Sequence, residues 1–331
     1  MKVVHGTAHQ GQCYIIRQND PTKKRSYMQN IKGKTAFITG GASGIGLGIS
    51  KAFVKAGMKV VMADIRQDHL DEAVVYFAGQ YLQDQIHPIR LDITDRKAMA
   101  AAAAETERVF GKIHVLVNNA GVGVTGPLKS AKFDDWDWGM EVNLGGVING
   151  VVIFLPYLLK HAEGGYIINT SSMGAVVPMK RAAIYITAKS AVLGLSEVMH
   201  GELEGDNIGV SAFCPGPVQT NISESGKLRP DKYKKDAGLV EDEKKLAQRI
   251  NDSTWMDPVE CGERVLQGML NNDLFIFTHP EFKQGTTERC EAMLAAYPDE
   301  PINEARYRAI KWLTENSIYP ESVKNSQSRK K

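Results

Sequence analysis

The chain has 331 residues, of which 43% are hydrophobic and 24% are charged, a mixture that supports a folded core and excludes intrinsic disorder. Its 40 basic and 38 acidic side chains nearly cancel, so net charge gives no reason to expect nucleic acid or an anionic membrane as a partner. The four cysteines form no CxxC pair and no Cys/His cluster, which predicts free thiols, no bound metal and a cytoplasmic location. We therefore expect a small-molecule partner.

The first 30 residues show no clear period and are broken by polar side chains, so they do not resemble a signal peptide. No uninterrupted apolar stretch of about 18 residues occurs, and a membrane span is therefore not expected. We interpret residues 1–30 as an N-terminal extension to a single domain.

From residue 31 onward, short β-branched runs alternate with longer segments of helical period, as in Ile45–Ala56 and Asp95–Phe110. This alternation predicts the α/β class, as a Rossmann-type, doubly wound parallel sheet within residues 31–280. The seven predicted strands are Lys34–Ile38, Lys59–Ala63, His87–Leu91, Val115–Asn118, Gly165–Asn169, Ile208–Phe213 and Leu274–Thr278.

Two stretches fall outside the alternation. Residues 221–257 are polar and charged between two predicted strands, and residues 281–331 follow the last strand. Insertions of this kind commonly cover a site or form a subunit contact. We expect 221–257 to be a substrate lid and 281–331 to be a C-terminal extension.

A glycine-rich loop directly follows the first predicted strand and reads Thr-Gly-Gly-Ala-Ser-Gly-Ile-Gly over residues 39–46. Glycines at such a turn let backbone N–H groups and the following helix N-terminus approach a pyrophosphate. The same turn can also serve packing alone. The residues expected to bind a dinucleotide here are Gly40, Ser43, Gly44, Ile45 and Gly46.

An acidic residue, Asp64, ends the second strand roughly twenty residues beyond the loop, where a carboxylate can accept hydrogen bonds from the adenosine ribose. The same carboxylate would repel a 2′-phosphate, so NAD is favoured over NADP. Arg66 is the opposing feature, because a guanidinium could pair with that phosphate, although a solvated arginine is the simpler interpretation.

The loop residues Thr39, Gly40, Gly44 and Gly46 resemble the TGxxxGxG signature of the short-chain dehydrogenase/reductase family. Further matches follow in the family's order over residues 34 to about 280, and we interpret the chain as a member of its TGxxxGxG/YxxxK branch. These are Asp92 and Ile93 at the adenine, Asn119, Ala120 and Gly121 in the NNAG motif, Asn143, Ser172, Tyr185 and Lys189, and Pro215, Gly216, Val218 and Thr220 at the nicotinamide.

The resemblance implies an NAD(H)-dependent oxidoreductase that interconverts a secondary alcohol and a ketone, usually as a homotetramer. Tyr185 and Lys189 are four residues apart in a predicted helix, so both side chains emerge from one face. A free phenol has a pKa near ~10, and a neighbouring cation favours its ionised form, which suits Tyr185 as the general acid/base.

By resemblance, Ser172 hydrogen-bonds the substrate oxygen, Asn143 holds a water that links Lys189 to solvent, and Lys189 also binds the nicotinamide ribose. Each has a plain structural alternative. YxxxK occurs by chance in helices, a serine at a strand end is often a helix cap, and an asparagine can bond locally. The joint spacing and order favour the functional interpretation.

The substrate is less constrained by the sequence. Residues 221–233 resemble the lid of bacterial family members that act on bulky secondary alcohols, including lignin-derived aryl alcohols. The terminal extensions resemble those of bacterial hydroxysteroid dehydrogenases, of the 20β type, and predict a bulky apolar substrate such as a steroid. Met173, Met179 and Leu228 are expected near the pocket, although such residues more often belong to a core.

Other classes of protein remain as alternatives. A nucleotide-sugar epimerase usually carries TGxxGxxG spacing, which differs from the loop here. A ketoacyl reductase would usually be shorter and NADP-linked. A non-catalytic redox sensor that only binds a dinucleotide would typically lack Tyr185 or Lys189, and both are present.

Overall fold

The computed structural model of the chain describes residue 28 and residues 30–247, 253–315 and 317–329. Most of the predicted N-terminal extension, and residues 248–252 of the predicted lid, lie outside the described residues. Met28 is 5% exposed and packs into the core, so this residue of the predicted extension contacts the domain.

The core is one parallel sheet of seven strands in the order β3-β2-β1-β4-β5-β6-β7, which confirms the predicted doubly wound fold. The strand order reverses between β1 and β4, and ligands of such sheets bind beyond the carboxyl ends of the strands at this point. The strands are β1 Thr35–Thr39, β2 Lys59–Asp64, β3 Ile86–Arg90, β4 Val115–Asn118, β5 Gly165–Thr170, β6 Ile208–Cys214 and β7 Phe275–Phe277.

Every strand lies within one residue of its predicted bounds, because buried β-branched runs mark strands that are covered on both faces. Successive side chains of β1 show this directly. Ala36 and Ile38 point into the core cluster on one face of the sheet, whereas Phe37 points into the cluster on the other.

Helices cover both faces of the sheet. Helices α1, α2 and α9 pack on one face, and α3, α5 and α7 pack on the other. The helices are α1 Gly44–Lys55, α2 Gln67–Gly79, α3 Arg96–Phe110, α4 Phe133–Met140, α5 Gly146–Lys160, α6 Met173–Val176, α7 Ala183–Glu202, α8 Val240–Ala247, α9 Pro258–Asn271, α10 Lys283–Ala295, α11 Glu304–Thr314 and α12 Ile318–Ser328.

Helices α4 and α5 are joined by a π-helical turn, Glu141–Gly145, into one continuous helix over residues 133–160. Among the described residues, this helix alone is long and apolar enough to cross a membrane by length and composition. Its buried side chains Trp138, Phe154 and Leu158 contact other parts of the domain, as expected of the core helix of a globular protein.

The chain after β7 forms the last helices, α10–α12. No residue of α10 or α11 is buried. Arg289 of α10 nevertheless donates to the Ala175 carbonyl at 3.1 Å, Tyr319 of α12 donates to Glu197 of α7 at 3.1 Å, and Arg329, directly after α12, pairs with Asp273. The division into a domain over residues 31–280 and an extension over 281–331 remains a prediction.

Candidate active site

A cavity of about 360 Å³ opens at the carboxyl ends of the strands, at the point where the strand order reverses. Its wall includes the predicted glycine-loop residues Gly40, Ser43, Gly44 and Ile45. Gly40 and Gly44 have φ values of +62° and +48°, in the left-handed region that favours glycine. The loop therefore turns sharply from β1 into the N-terminus of α1, which supports its predicted phosphate-binding geometry.

Gly46 does not line the cavity but lies directly behind the loop. A Cβ atom at this position would come within 1.8 Å of the Gly40 carbonyl oxygen and 2.7 Å of Asn119 Nδ2. Only a glycine lets the loop, the first turn of α1 and the Asn119 side chain approach so closely. Gly46 thus allows the close packing that sets the shape of the loop. A tightly turned glycine loop of this kind fits a dinucleotide.

Asp64 lies at the end of β2, lines the cavity and is 7% exposed. Its carboxylate accepts backbone hydrogen bonds from Ala42 and Arg66 at 3.4 and 3.1 Å, while burial raises its pKa. The Arg66 side chain also lines the cavity, but it pairs with Asp68, with Nε 3.0 Å from the carboxylate. This pairing favours the interpretation of Arg66 as a surface arginine.

The predicted adenine pair, Asp92 and Ile93, lies on the same wall beyond β3. Asp92 accepts hydrogen bonds from the Thr94 amide and hydroxyl at 2.9 and 2.8 Å. The Ile93 carbonyl accepts a bond from the Asn149 side chain at 2.9 Å. These bonds fix the turn after β3 against helix α5.

Residues Asn119, Ala120 and Gly121 follow β4 and form the floor of the cavity. Thr39 Oγ1 accepts hydrogen bonds from the Asn119 and Ala120 amides at 2.9 and 3.0 Å. A Cβ atom on Gly121 would lie 2.8 Å from Asn143 Oδ1 and 3.4 Å from Lys189 Nζ. The motif therefore connects the glycine loop to the predicted catalytic side chains.

Tyr185 and Lys189 lie one turn apart on α7, and both line the cavity. Tyr185 is hydrogen-bonded to Ser172, and within the protein alone burial outweighs this bond and raises the pKa of the phenol. Lys189 Nζ is 5.8 Å from the Tyr185 ring centroid and donates to the Thr170 carbonyl at 2.8 Å. Burial lowers the pKa of Lys189 to about 8. Lys189 therefore does not by itself make the phenol acidic.

Ser172 follows β5 and caps helix α6, where its Oγ accepts a hydrogen bond from the Gly174 amide at 3.0 Å. The residue is 7% exposed and does not itself line the cavity. The structural and functional interpretations of Ser172 are thus compatible, because a hydroxyl that accepts from an amide can still donate its own proton.

Asn143 lies in the π-helical turn and is fully buried. Its Nδ2 donates to the Val122 carbonyl and its Oδ1 accepts from the Val122 amide, both at 3.0 Å. The side chain is therefore committed to fixing the chain that follows the NNAG motif. Its role in holding a water stays a prediction, and π turns of this kind are frequent at functional sites.

The predicted nicotinamide turn follows β6. Pro215 and Thr220 line the cavity, whereas Gly216 and Val218 do not. A Cβ atom on Gly216 would lie 2.6 Å from the His279 ring, and Val218 is 4% exposed in the core and forms a parallel bridge with Met256. These two residues shape the turn from behind.

The opposite wall of the cavity comes from the lid and α4. Leu228 lines it as expected, whereas Met173 belongs to the core and Met179 is 54% exposed. Further wall residues lie in the predicted lid without having been singled out, among them Ile222, Ser225, Pro230 and Lys232. Trp138 and Glu141 also line the cavity, and they carry no motif from which the sequence could have predicted them.

Within the described residues, one cluster outside the cavity has the composition of a metal site: His114, His161 and Glu163. Both ring nitrogens of each histidine are already hydrogen-bonded, those of His114 to the Thr35 amide and to Glu163 at 3.2 Å each. Burial lowers the pKa of His114 to about 4. Glu163 also pairs with Lys34 and Lys112. The side chains of this cluster are therefore bonded to one another and to the backbone, which favours a structural role over metal binding.

Comparison with known proteins gives consistent similarities. A family model described as short chain dehydrogenase matches residues 34–230. The C alpha-dehydrogenase of Sphingobium sp. (strain NBRC 103272 / SYK-6) is 39% identical over 269 residues, covering 81% of this chain and 87% of that protein. The 3beta-hydroxysteroid dehydrogenase 2 of Eggerthella lenta is 34% identical over 194 residues, 58% of this chain and 74% of that protein. The crystal structure of a short chain dehydrogenase/reductase from Burkholderia phymatum in complex with NAD has a TM-score of 0.76 at 28% identity, covering 83% of this chain and 100% of that chain.

Proposed function

Because the chain belongs to the short-chain dehydrogenase family, we propose that it is an NAD(H)-dependent oxidoreductase that interconverts a secondary alcohol and a ketone. The observation that carries the proposal is the arrangement around one cavity. Tyr185 and Lys189, one helical turn apart, line the same cavity as the glycine loop and Asp64.

Bound NAD would supply or accept the hydride. Gly40, Ser43, Gly44 and Ile45 would hold its phosphates, and Asp64 its ribose. During ketone reduction the Tyr185 hydroxyl gives its proton to the substrate oxygen, and in the reverse direction the phenolate takes it back. A phenol is protonated at neutral pH, and burial raises the pKa of Tyr185 further, so the form that reduction needs is present.

Ser172 assists at the same oxygen. Its hydroxyl accepts from the Gly174 amide, which orients the proton for donation to the substrate as charge develops there. Lys189, held by the Thr170 carbonyl, provides a buried ammonium whose positive charge favours the ionised form of Tyr185 and whose N–H groups would donate to the ribose hydroxyls of the cofactor. Alcohol oxidation needs that ionised form, so it should be favoured at higher pH than ketone reduction.

Two substrate classes are candidates, and we favour aryl secondary alcohols over steroids. The C alpha-dehydrogenase relative is matched over 87% of its length, whereas the steroid dehydrogenase relative acts by name on a 3β-hydroxyl and gives no specific support to the 20β type. The wall also combines the apolar side chains Trp138 and Leu228 with the charged Glu141 and Lys232. Such a wall suits an aromatic substrate with polar substituents.

The test is NADH oxidation by the purified chain with aryl ketones, steroid ketones and small diketones at equal concentration. We expect turnover with at least one aryl ketone that exceeds the others, and the alcohol product should be identified by chromatography. Stoichiometric NADH binding without turnover of any ketone, or of the matching alcohols with NAD, would favour the dinucleotide-binding sensor instead.

Cofactor choice should depend on Asp64. We expect NADH to be used at least about tenfold more efficiently than NADPH. The reason is that repulsion between the buried carboxylate and the 2′-phosphate should weaken NADPH binding by more than about 1.4 kcal/mol. Asp64→Ala should narrow this preference. The measurement is kcat/KM for each cofactor at a fixed ketone concentration.

Asp68→Ala is the matched control for this prediction. It removes the carboxylate that pairs with Arg66, on a side chain that is 56% exposed where Asp64 is buried, and it leaves Asp64 in place. A larger gain of NADPH activity in Asp68→Ala than in Asp64→Ala, or equal use of both cofactors by the unmutated chain, would assign the discrimination to Arg66.

We also propose that the chain is a homo-oligomer, assembled through the outer face of α5. Ile148, Val152 and Leu159 are 42%, 67% and 42% exposed on this helix, an apolar stripe of the kind that marks an interface. Val152→Arg should lower the mass measured by light scattering after size-exclusion chromatography. Val75→Arg, at a 72% exposed position on α2, should leave the mass unchanged. A monomeric unmutated chain would refute this proposal.

A further inference from the structure

The lid is held to the domain by a buried ionic cluster formed by Arg229, Asp135 and Glu243. The residues are 2%, 0% and 3% exposed. The Arg229 guanidinium contacts the carboxylate of Glu243 and the carboxylate of Asp135. Its Nε lies 3.2 Å from Glu243 Oε2, and its Nη2 lies 3.0 Å from Asp135 Oδ1. Arginine, aspartate and glutamate are almost never fully buried unless each charge is paired or hydrogen-bonded.

The cluster joins three segments that are distant in sequence. Asp135 lies in the first turn of α4 and accepts the Lys132, Gly238 and Leu239 amides at 2.9, 2.8 and 3.4 Å. Glu243 lies on lid helix α8. Arg229 therefore connects the beginning of the lid to its later helix and both to the domain.

The same guanidinium also orders the wall of the cavity. Its Cζ lies 4.3 Å from the centre of the Trp138 ring, and Nη1 donates to the Tyr233 carbonyl at 3.2 Å. Trp138 lines the cavity, as do Leu228 and Pro230, the two chain neighbours of Arg229, and Lys232. Arg229 itself does not line the cavity, whereas its chain neighbours on both sides do.

We propose that Arg229 is the positioning residue that fixes the substrate wall of the cavity by tying residues 228–233 to Trp138 and α4. Arg229 touches neither the cofactor loop nor Tyr185, so it acts through the residues that it holds. The consequence for specificity rests on the proposed alcohol/ketone activity. A loosened wall should impair recognition of a bulky ketone far more than of a small one.

Arg229→Lys tests the proposal, because lysine keeps the charge but loses the planar fork and the stacking on Trp138. We expect the ratio of kcat/KM for a bulky aryl ketone to that for a small diketone to fall about tenfold, mainly through KM, with NADH affinity within about threefold. Amide exchange of Gly238 and Leu239 should become at least about tenfold faster, because Asp135 no longer has a fixed partner.

Arg181→Lys is the matched control, since Arg181 pairs with Asp242 of the same lid helix at 2.6 Å but is 59% exposed. Arg181→Lys should change neither the ratio of kcat/KM between the bulky and the small ketone nor the amide exchange of Gly238 and Leu239. The double variant Arg229→Met/Glu243→Leu replaces the Arg229–Glu243 pair with apolar volume and leaves Asp135 with the Lys132, Gly238 and Leu239 amides as its partners, so its folding is checked by circular dichroism before the assay. A normal substrate ratio in this double variant would show that Arg229 serves stability alone and would overturn the proposal.

The exchange measurement also separates this proposal from the proposed function. If the unmutated chain turns over no ketone, the alcohol/ketone activity is wrong, and faster exchange in Arg229→Lys but not in Arg181→Lys still supports the positioning role. Unchanged exchange of Gly238 and Leu239 in Arg229→Lys overturns the positioning role whatever the activity.

Discussion

Tyr185→Phe is expected to remove nearly all turnover while NADH affinity stays within a few-fold of normal. The ring remains on α7 beside Ser172, but the proton that reaches the substrate oxygen is gone. Loss of a positioned general acid typically costs about 10²- to 10⁴-fold in rate, and the upper part of this range applies because the hydroxyl also orients the ketone. The measurements are single-turnover kinetics and NADH binding followed by fluorescence.

Lys189→Ala is the contrasting variant. It should weaken NADH binding as well, and it should move the alcohol-oxidation profile to higher pH, because an uncompensated phenol ionises less readily. A Tyr185→Phe enzyme that keeps more than about a tenth of normal turnover would show that Tyr185 is not the acid. Full NADH binding with no activity in the unmutated chain would instead identify a sensor.

Gly46→Ala should weaken NADH binding. The added Cβ would lie 1.8 Å from the Gly40 carbonyl oxygen, so the glycine loop and the first turn of α1 must move apart. Overpacking of this kind costs about 1–3 kcal/mol or more, and most of it acts on the loop that would hold the phosphates. We expect at least about a tenfold increase in the NADH dissociation constant, measured by calorimetry.

Two glycine variants control for general damage. Gly48→Ala puts a Cβ 1.8 Å from the Pro258 carbonyl oxygen, an equal clash at the contact between α1 and α9 rather than at the loop. It should lower the melting temperature with a smaller effect on NADH affinity. Gly194→Ala meets no atom within 4 Å and should be neutral or stabilising. Equal loss of NADH affinity in Gly46→Ala and Gly48→Ala would attribute the effect to stability rather than to the loop.

The sequence alone determined the sheet and one wall of the site. Strands such as Val115–Asn118 could be predicted because a strand buried on both faces must be a short apolar run, and the doubly wound order follows from the alternation with helices. Gly40, Gly44 and Asp64 were predictable because a turn and a strand end are local features. Tyr185 and Lys189 were predictable because helical spacing puts both on one face.

Tertiary structure decided how those side chains are used. Asn143 was predicted from its motif, but only the fold revealed that its side-chain amide makes two hydrogen bonds to the backbone of Val122. The pKa of Tyr185 could not be read from the YxxxK spacing either. Burial raises it despite the bond to Ser172, and the Lys189 ammonium, 5.8 Å from the ring centre, is hydrogen-bonded to the Thr170 carbonyl.

The sequence predicted a lid over residues 221–257, but it could not show how that lid is held to the domain. Arg229 stands in a polar, charged stretch and reads as a solvated side chain, yet it is 2% exposed and bonded to Asp135 and Glu243. Local pattern encodes periodicity and turn geometry, which depend on neighbours along the chain. Burial of a charge depends on partners that meet only after folding, because the desolvation of Arg229 is compensated by carboxylates from α4 and α8 rather than by anything near it in sequence.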